Sequence, residues 1–254
     1  MKNLQEMYYL NIPMLDEIIN KLQTSPKNNL NILDLSCGSG FNSTYIYSKL
    51  QTGTYTLVDI SQKNISSYNH NFIFDYTIIE SDFLSYLKSC PDNSMDVITF
   101  SYGISYYYPK KIIKECSRVL KNGGLLGVIE CSKKTFPEIK KILPILIINH
   151  YNLINNFIFK SHYFRNEFFF EKFFVDNRFN RLNLSSNSHT INFKDNASIY
   201  SFISCKDIFT PLDSKVNISH PDAKFTIMDF LYNNNNNINV LTHKYIWGTF
   251  RNDK

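Results

Sequence analysis

The chain predicts a doubly wound α/β fold. Short apolar strand-like runs alternate with amphipathic helical stretches between Leu30 and Ser132. A glycine-rich turn follows the first run directly. Carboxylates stand at the ends of the next two. Strands alternating with helices pair in parallel through right-handed crossovers. Such sheets bind ligands beyond the carboxyl ends of their strands.

The first strand is Asn31-Ile32-Leu33-Asp34-Leu35, and Ser36-Cys37-Gly38-Ser39-Gly40 is a tight turn into a helix from Phe41 to Leu50. Gly53 breaks that helix, and Tyr55 to Val58 form a second strand ending at Asp59. Ser61 can cap a helix toward His70. Tyr76 to Ile79 form a third strand, followed by Glu80-Ser81-Asp82 and a short helix from Phe83 to Leu87. Asp96 to Phe100 form the fourth. Pro109 suits a helix start, and Ile112, Ile113, Cys116, Val119 and Leu120 share one helical face. Asn122-Gly123-Gly124 should stop that helix before a fifth strand, Leu125 to Ile129. Lys224 to Phe230 and Lys244 to Phe250 read as a terminal antiparallel hairpin around an asparagine run, completing a mostly parallel, seven-stranded sheet. Residues 136–190 fit no βα unit. They read as an inserted, largely helical, aromatic-rich cap within a single domain spanning 1–254, rich in phenylalanine from Phe164 to Phe179. The bland alternative is that these rings fill a core.

The 254 residues are 43% hydrophobic, enough for one large domain with an insertion. The net charge of +5 is modest, and basic residues cluster only in pairs such as Lys110-Lys111. A solvated surface explains them better than a nucleic-acid track. No apolar stretch approaches the roughly 20 residues of a membrane span. The start lacks a secretory pattern. Five cysteines show neither metal spacing nor disulfide density, which suits buried thiols in a cytoplasmic protein and points to no metal.

Glycines let backbone N–H groups approach a ligand and open the following helix. Alone, the Gly38-Ser39-Gly40 turn could equally serve a dinucleotide or merely a tight bend. Asp59 can accept from two ribose hydroxyls, or it can cap a helix. Asp82 can accept from an exocyclic amino group, with Phe83 and Ile60 packing on a purine, or it too can be a cap. Asp34, inside the strand end, can position a cationic amino-acid group through the turn or a water.

Taken together, Asn31 to Gly40, Val58-Asp59-Ile60-Ser61, Glu80-Ser81-Asp82-Phe83 and Arg118 to Leu126 resemble successive motifs of class I S-adenosylmethionine-dependent methyltransferases. The likeness is to the branch holding quinone-biosynthesis and many small-molecule enzymes. It covers about residues 30–132 and implies a Rossmann-like sheet. It also implies S-adenosylmethionine as cofactor, with Gly38 and Gly40 on the methionine moiety, Asp59 on the ribose and Asp82 on the adenine. Ser36 stands where the family's first glycine is usual. The segment after strand four, from Ser101 to Tyr108, would lie near the transferable methyl. Signatures of nucleic-acid amino methylation and of cytosine C5 chemistry are absent from this chain.

Methyl transfer from a sulfonium needs alignment and water exclusion, and some acceptors need a general base. The candidates are Tyr102 and Tyr106 after strand four, and His150, His162 and His189 in the cap. Tyr8 and Tyr9 either close over the cofactor or pack a helix. The aromatic cap suggests an apolar or aromatic small-molecule acceptor, or a cation held on ring faces. The protein would act as a monomer or homodimer. Competing readings are a protein or RNA methyltransferase, a non-catalytic cofactor-binding subunit, and transfer of an aminopropyl group.

Overall fold

The computed structural model describes residues 2–24, 29–61, 74–105, 108–153, 164–203, 220–233 and 239–254. Two helices lead, α1 (Lys2–Tyr9) and α2 (Ile12–Thr24). In α2, Met14, Leu15, Ile18, Ile19 and Leu22 recur at helical spacing and are buried. The βα alternation follows: β1 (Asn31–Leu35), α3 (Phe41–Leu50), β2 (Thr54–Asp59), β3 (Tyr76–Glu80), α4 (Phe83–Ser89), β4 (Met95–Ser101), α5 (Pro109–Val119) and β5 (Leu120–Cys131). Then come α6 (Pro137–Lys140), α7 (Leu143–Asn149), α8 (Glu167–Val175), β6 (Phe179–Asn192), α9 (Asn196–Ile203), α10 (Pro221–Asn233) and β7 (Val240–Asn252).

The strands form a seven-stranded sheet in the order β3-β2-β1-β4-β5-β7-β6. β1 lies parallel to β2 and β4, β2 to β3, and β4 to β5. β1 and β4 are almost wholly buried, as central parallel strands covered on both faces must be. Strand order reverses between β1 and β4, so the β1–α3 turn and the end of β4 flank the switch point.

Three boundaries depart from the expectation. The fifth strand begins at Leu120, ahead of Gly123 and Gly124, and the ladder shifts register between Met95 and Val97. The glycines lie within the strand, and Gly123 takes a positive φ of 73° there.

The second departure concerns the antiparallel pair. Lys224 to Phe230 is helical, inside α10, because Pro221 and Asp222 favour a helix start and Ala223, Ile227 and Leu231 form a buried i, i+4, i+8 face. The partner of β7 is β6, and the Phe193 N–H donates to the Asn239 carbonyl where β6 ends and β7 begins. The expected helix from Ser61 toward His70 lies largely outside the described residues.

The third departure concerns the cap. The chain divides into two compact units. One comprises residues 8–130, 162–186 and 246–254; the other comprises residues 1–7, 131–161 and 187–245. The phenylalanine-rich stretch thus belongs with the sheet. Phe164, Phe170, Phe174 and Phe179 are buried there with Ile246 and Phe250. Phe174 lies stacked on Phe250 with ring centroids 4.3 Å apart. These rings fill a core, while Phe168 and Phe169 of the same helix are exposed. Gly127 of β5 lets α2 lie close, since a Cβ there would meet Ile18 Cδ1 at 2.5 Å.

The second unit has its own core, in which Phe136, Ile139, Leu146, Ile199, Ile227 and Leu241 are buried together. His243 is buried in it with Nδ1 2.9 Å from Thr135 Oγ1. Burial, with His189 nearby, pushes its imidazole down to about 3, so it is neutral at physiological pH. Cys37, Cys90, Cys116 and Cys131 are buried thiols outside any disulfide. No described helix is long and apolar enough to cross a membrane.

Phe174→Ala should cost about 3–5 kcal/mol, because it empties a fully buried ring site bounded by five other phenylalanines. Urea denaturation checks this; a loss below about 1 kcal/mol would show that the rings do not form one core.

Candidate active site

The glycine-rich turn is built from backbone geometry that few residues adopt. Ser36, Gly38 and Gly40 all have positive φ, at 58°, 51° and 73°. Gly40 stands at the N-cap of α3, where its left-handed conformation carries little penalty. The Gly40 N–H donates to the Cys37 carbonyl at 2.8 Å, and the Cys37 N–H to the Val58 carbonyl. A Cβ on Gly38 would lie 3.6 Å from the Tyr8 hydroxyl, so Tyr8 sits just above the turn. The Tyr8 ring stacks on Phe41, and Tyr9 meets the same ring edge-on.

Asp59 ties the second strand to this turn. Its Oδ2 accepts from the Gly38 N–H at 2.9 Å and its Oδ1 from the Ser61 N–H at 2.9 Å. A carboxylate offers about four acceptor positions, so these two bonds do not exhaust it. Asp59 is buried, whereas its neighbour Ile60 is 54% exposed.

Asp34 is wholly buried beneath the turn. It accepts from Thr99 Oγ1 at 2.7 Å, Ser43 Oγ at 3.0 Å and Asn42 Nδ2 at 3.1 Å. Burial pushes its carboxyl up to about 6, against those three donors, which hold it lower. Ser101, at the end of β4, joins the same network through Asn42 and Asn11. Composition does not single out Asn11, Asn42, Ser43 or Thr99. The only hint is two short polar residues opening α3 at positions that an amphipathic helix would leave exposed or fill with apolar groups.

Asp82 is the N-cap of α4 and accepts from the Ser85 N–H at 2.9 Å, a bond that holds its carboxyl below the usual carboxylate range. Phe83 turns into the core and meets Phe100 edge-on at 5.0 Å. Asp34, Ser36, Gly38, Gly40, Asp59 and Ser101 therefore converge on the switch point, while Asp82 and Phe83 are engaged as cap and core residues.

Tyr102 follows Ser101 with a φ of 55°, and its N–H donates to the Ile129 carbonyl. Tyr106 and His162 lie outside the described residues. His150 and His189 belong to the second compact unit. There His150 Nε2 bonds Thr226 Oγ1, and His189 Nε2 lies 3.8 Å from a Glu6 carboxylate oxygen.

Residues 33–128 match the family model described as a methyltransferase domain. Over 120 residues the chain is 37% identical to the ubiquinone/menaquinone biosynthesis C-methyltransferase UbiE of Hydrogenovibrio crunogenus, covering 43% of this chain and 45% of that one. Over 106 residues it is 32% identical to a demethylmenaquinone methyltransferase of Chlamydia trachomatis, covering 40% and 44%. The chain thus spans less than half the length of these curated relatives. The YcgJ protein of Bacillus subtilis shares the fold with a TM-score of 0.59 at 15% identity, over 95% of this chain and 98% of that one. A phosphoethanolamine N-methyltransferase of Haemonchus contortus, solved with S-adenosylhomocysteine, shares it at 0.53 and 13% identity, over 97% and 53%.

Asp34 yields a stability prediction with a definite sign. Between the unfolded value of 3.8 and about 6, the folded state holds a proton that the unfolded chain lacks. Lowering the pH from 7 to 4 should therefore favour wild type relative to Asp34→Asn, by roughly 1–3 kcal/mol. Urea midpoints of both proteins across that range test it; a constant difference would show that Asp34 has an ordinary pKa.

Proposed function

We propose, from the premise that this chain carries a class I methyltransferase domain, that it binds S-adenosylmethionine at the switch point and methylates a small, apolar or aromatic molecule. The names of the curated relatives, a C-methyltransferase of ubiquinone/menaquinone biosynthesis and a demethylmenaquinone methyltransferase, favour a carbon of a quinone-like acceptor.

The observation that carries the reading is the turn itself. Gly38 leaves a cradle under Tyr8 that a Cβ would fill, and its N–H is fixed by Asp59. The donor and acceptor set suits the cofactor: backbone N–H groups at the head of α3, a carboxylate at the end of β2 for hydroxyls, and a polar network below. In this reading Gly38 and Gly40 hold the methionine moiety and Asp59 receives the ribose. Ile60 packs on the base, with Asp82 beside it, while Phe83, turned into the core, is left out of the site.

The bound cofactor supplies a methyl group already activated by its sulfonium. The chain's task is to orient the acceptor along the methyl–sulfur axis and exclude water, so positioning dominates. Asp34 holds Asn42, Ser43 and Thr99 and thereby fixes the floor of the turn and the end of β4. Tyr102 is the described candidate nearest in sequence to that strand end; as a base it would act as its phenolate, the oxygen taking the proton that the acceptor loses and becoming the neutral phenol. Tyr106, His162, His150 and His189 remain the other candidates for that step.

Two experiments test the reading. Cell extract incubated with methyl-labelled S-adenosylmethionine and the protein should yield a labelled small metabolite; label found only in macromolecules would overturn it. Asp59→Ala should weaken S-adenosylhomocysteine binding by roughly tenfold or more in calorimetry, the loss of a charge-assisted contact. Equal affinities would remove Asp59 from the site.

A further inference from the structure

We infer that Asn11, at the corner joining α1 to α2, receives the ammonium of the cofactor's amino-acid end; this deepens the adenosylmethionine reading and rests on it. Nothing in the sequence marks Asn11 for that role. Its side chain is fixed by a chain of hydrogen-bond polarity that begins at Asp34.

An ionised carboxylate only accepts. Asn42 must therefore turn its amide nitrogen toward Asp34, and it does, at 3.1 Å. The Asn42 oxygen then faces the other way and accepts from Asn11 Nδ2 at 2.8 Å. That in turn orients Asn11, whose Oδ1 is left as a buried acceptor with no hydrogen-bond partner among the described residues. Asn11 itself is 2% exposed. A lone buried acceptor costs about 1–3 kcal/mol, so it calls for a donor.

Among the described residues, local structure offers none. Asn11 stands at the N-cap position of α2, with the Leu15 N–H donating to its carbonyl. An asparagine there ordinarily spends its side-chain oxygen on an N–H of the first turn. Pro13 removes one such donor, and Asn11 turns its side chain to Asn42 and Ser101 instead. Ser101 Oγ accepts from Asn11 Nδ2 at 3.2 Å and from Asn42 Nδ2 at 2.9 Å. A hydroxyl has two acceptor positions and one hydrogen, so the Ser101 O–H must donate to a third group.

A spare acceptor on Asn11 and a committed donor on Ser101 thus lie side by side at the end of β4. An amino-acid zwitterion offers the complement, an ammonium that donates and a carboxylate that accepts. The Asn11 N–H also donates to the Tyr8 carbonyl, so the residue that presents this acceptor is bonded to the one whose ring covers Gly38.

Calorimetry with two ligands tests the assignment. S-adenosylhomocysteine carries the amino-acid end; 5′-methylthioadenosine lacks it. Asn11→Ala should weaken the first by roughly ten- to hundredfold and leave the second within about twofold. If the alanine variant fails to fold, Asn11→Leu keeps the volume and makes the same prediction. Equal losses for both ligands, or none, would overturn the role of Asn11 while leaving the adenosyl site standing. Wild type that binds neither ligand would bring down the proposed function itself.

Discussion

The buried carboxylate of Asp34 constrains everything around the switch point. A charge-capable group with no solvent access is tolerated only if several donors satisfy it. Thr99 from β4, and Asn42 and Ser43 from α3, supply them, so one residue joins the first strand, its neighbour and the helix between them. The acceptor-only chemistry of that group also sets the direction of the amides beyond it. Asn42 and Asn11 can point only one way, and the polarity of the network is transmitted from the strand to the leading helices. The glycine turn above is held separately by Asp59. Two carboxylates with different tasks thus frame one site, one from below and one from the side.

This division explains why the site tolerates Ser36 in place of a glycine. A serine pays for a positive φ in backbone strain, roughly 1 kcal/mol, but the turn does not depend on that residue for its hydrogen bonds. Cys37, Gly38 and Gly40 make the connections, through their N–H groups. Glycine suits position 38 because of its left-handed conformation; a Cβ there would make only an ordinary contact with Tyr8, at 3.6 Å.

The central sheet was readable in the sequence because buried parallel strands are short, apolar and punctuated by glycine. Asn31 to Leu35 and Asp96 to Phe100 could be placed to within a residue or two for that reason. The edge was not readable. β6 is crowded with Asn180, Asn183, Ser185, Ser186, Asn187 and Ser188, a composition that suits a loop as well as an exposed edge strand. In α10 the β-prone residues Phe225, Thr226 and Ile227 masked a helix whose burial pattern, and not its propensities, decides the structure. Tertiary packing likewise drew the phenylalanines of α8 into the sheet's core. The glycine turn, Asp59 and Asp34 were visible as a spaced set. Asn11 was not, because its part depends on which atom of an amide faces which neighbour, and no residue pattern encodes that.

Whether the loops after β1, β2 and β4 serve one adenosyl ligand can be measured directly by amide hydrogen exchange with and without S-adenosylhomocysteine. Convergence predicts added protection concentrated at residues 36–42, 59–61 and 101–104, with the sheet interior unchanged. Protection spread over unrelated segments, or no protection at saturating ligand, would contradict it.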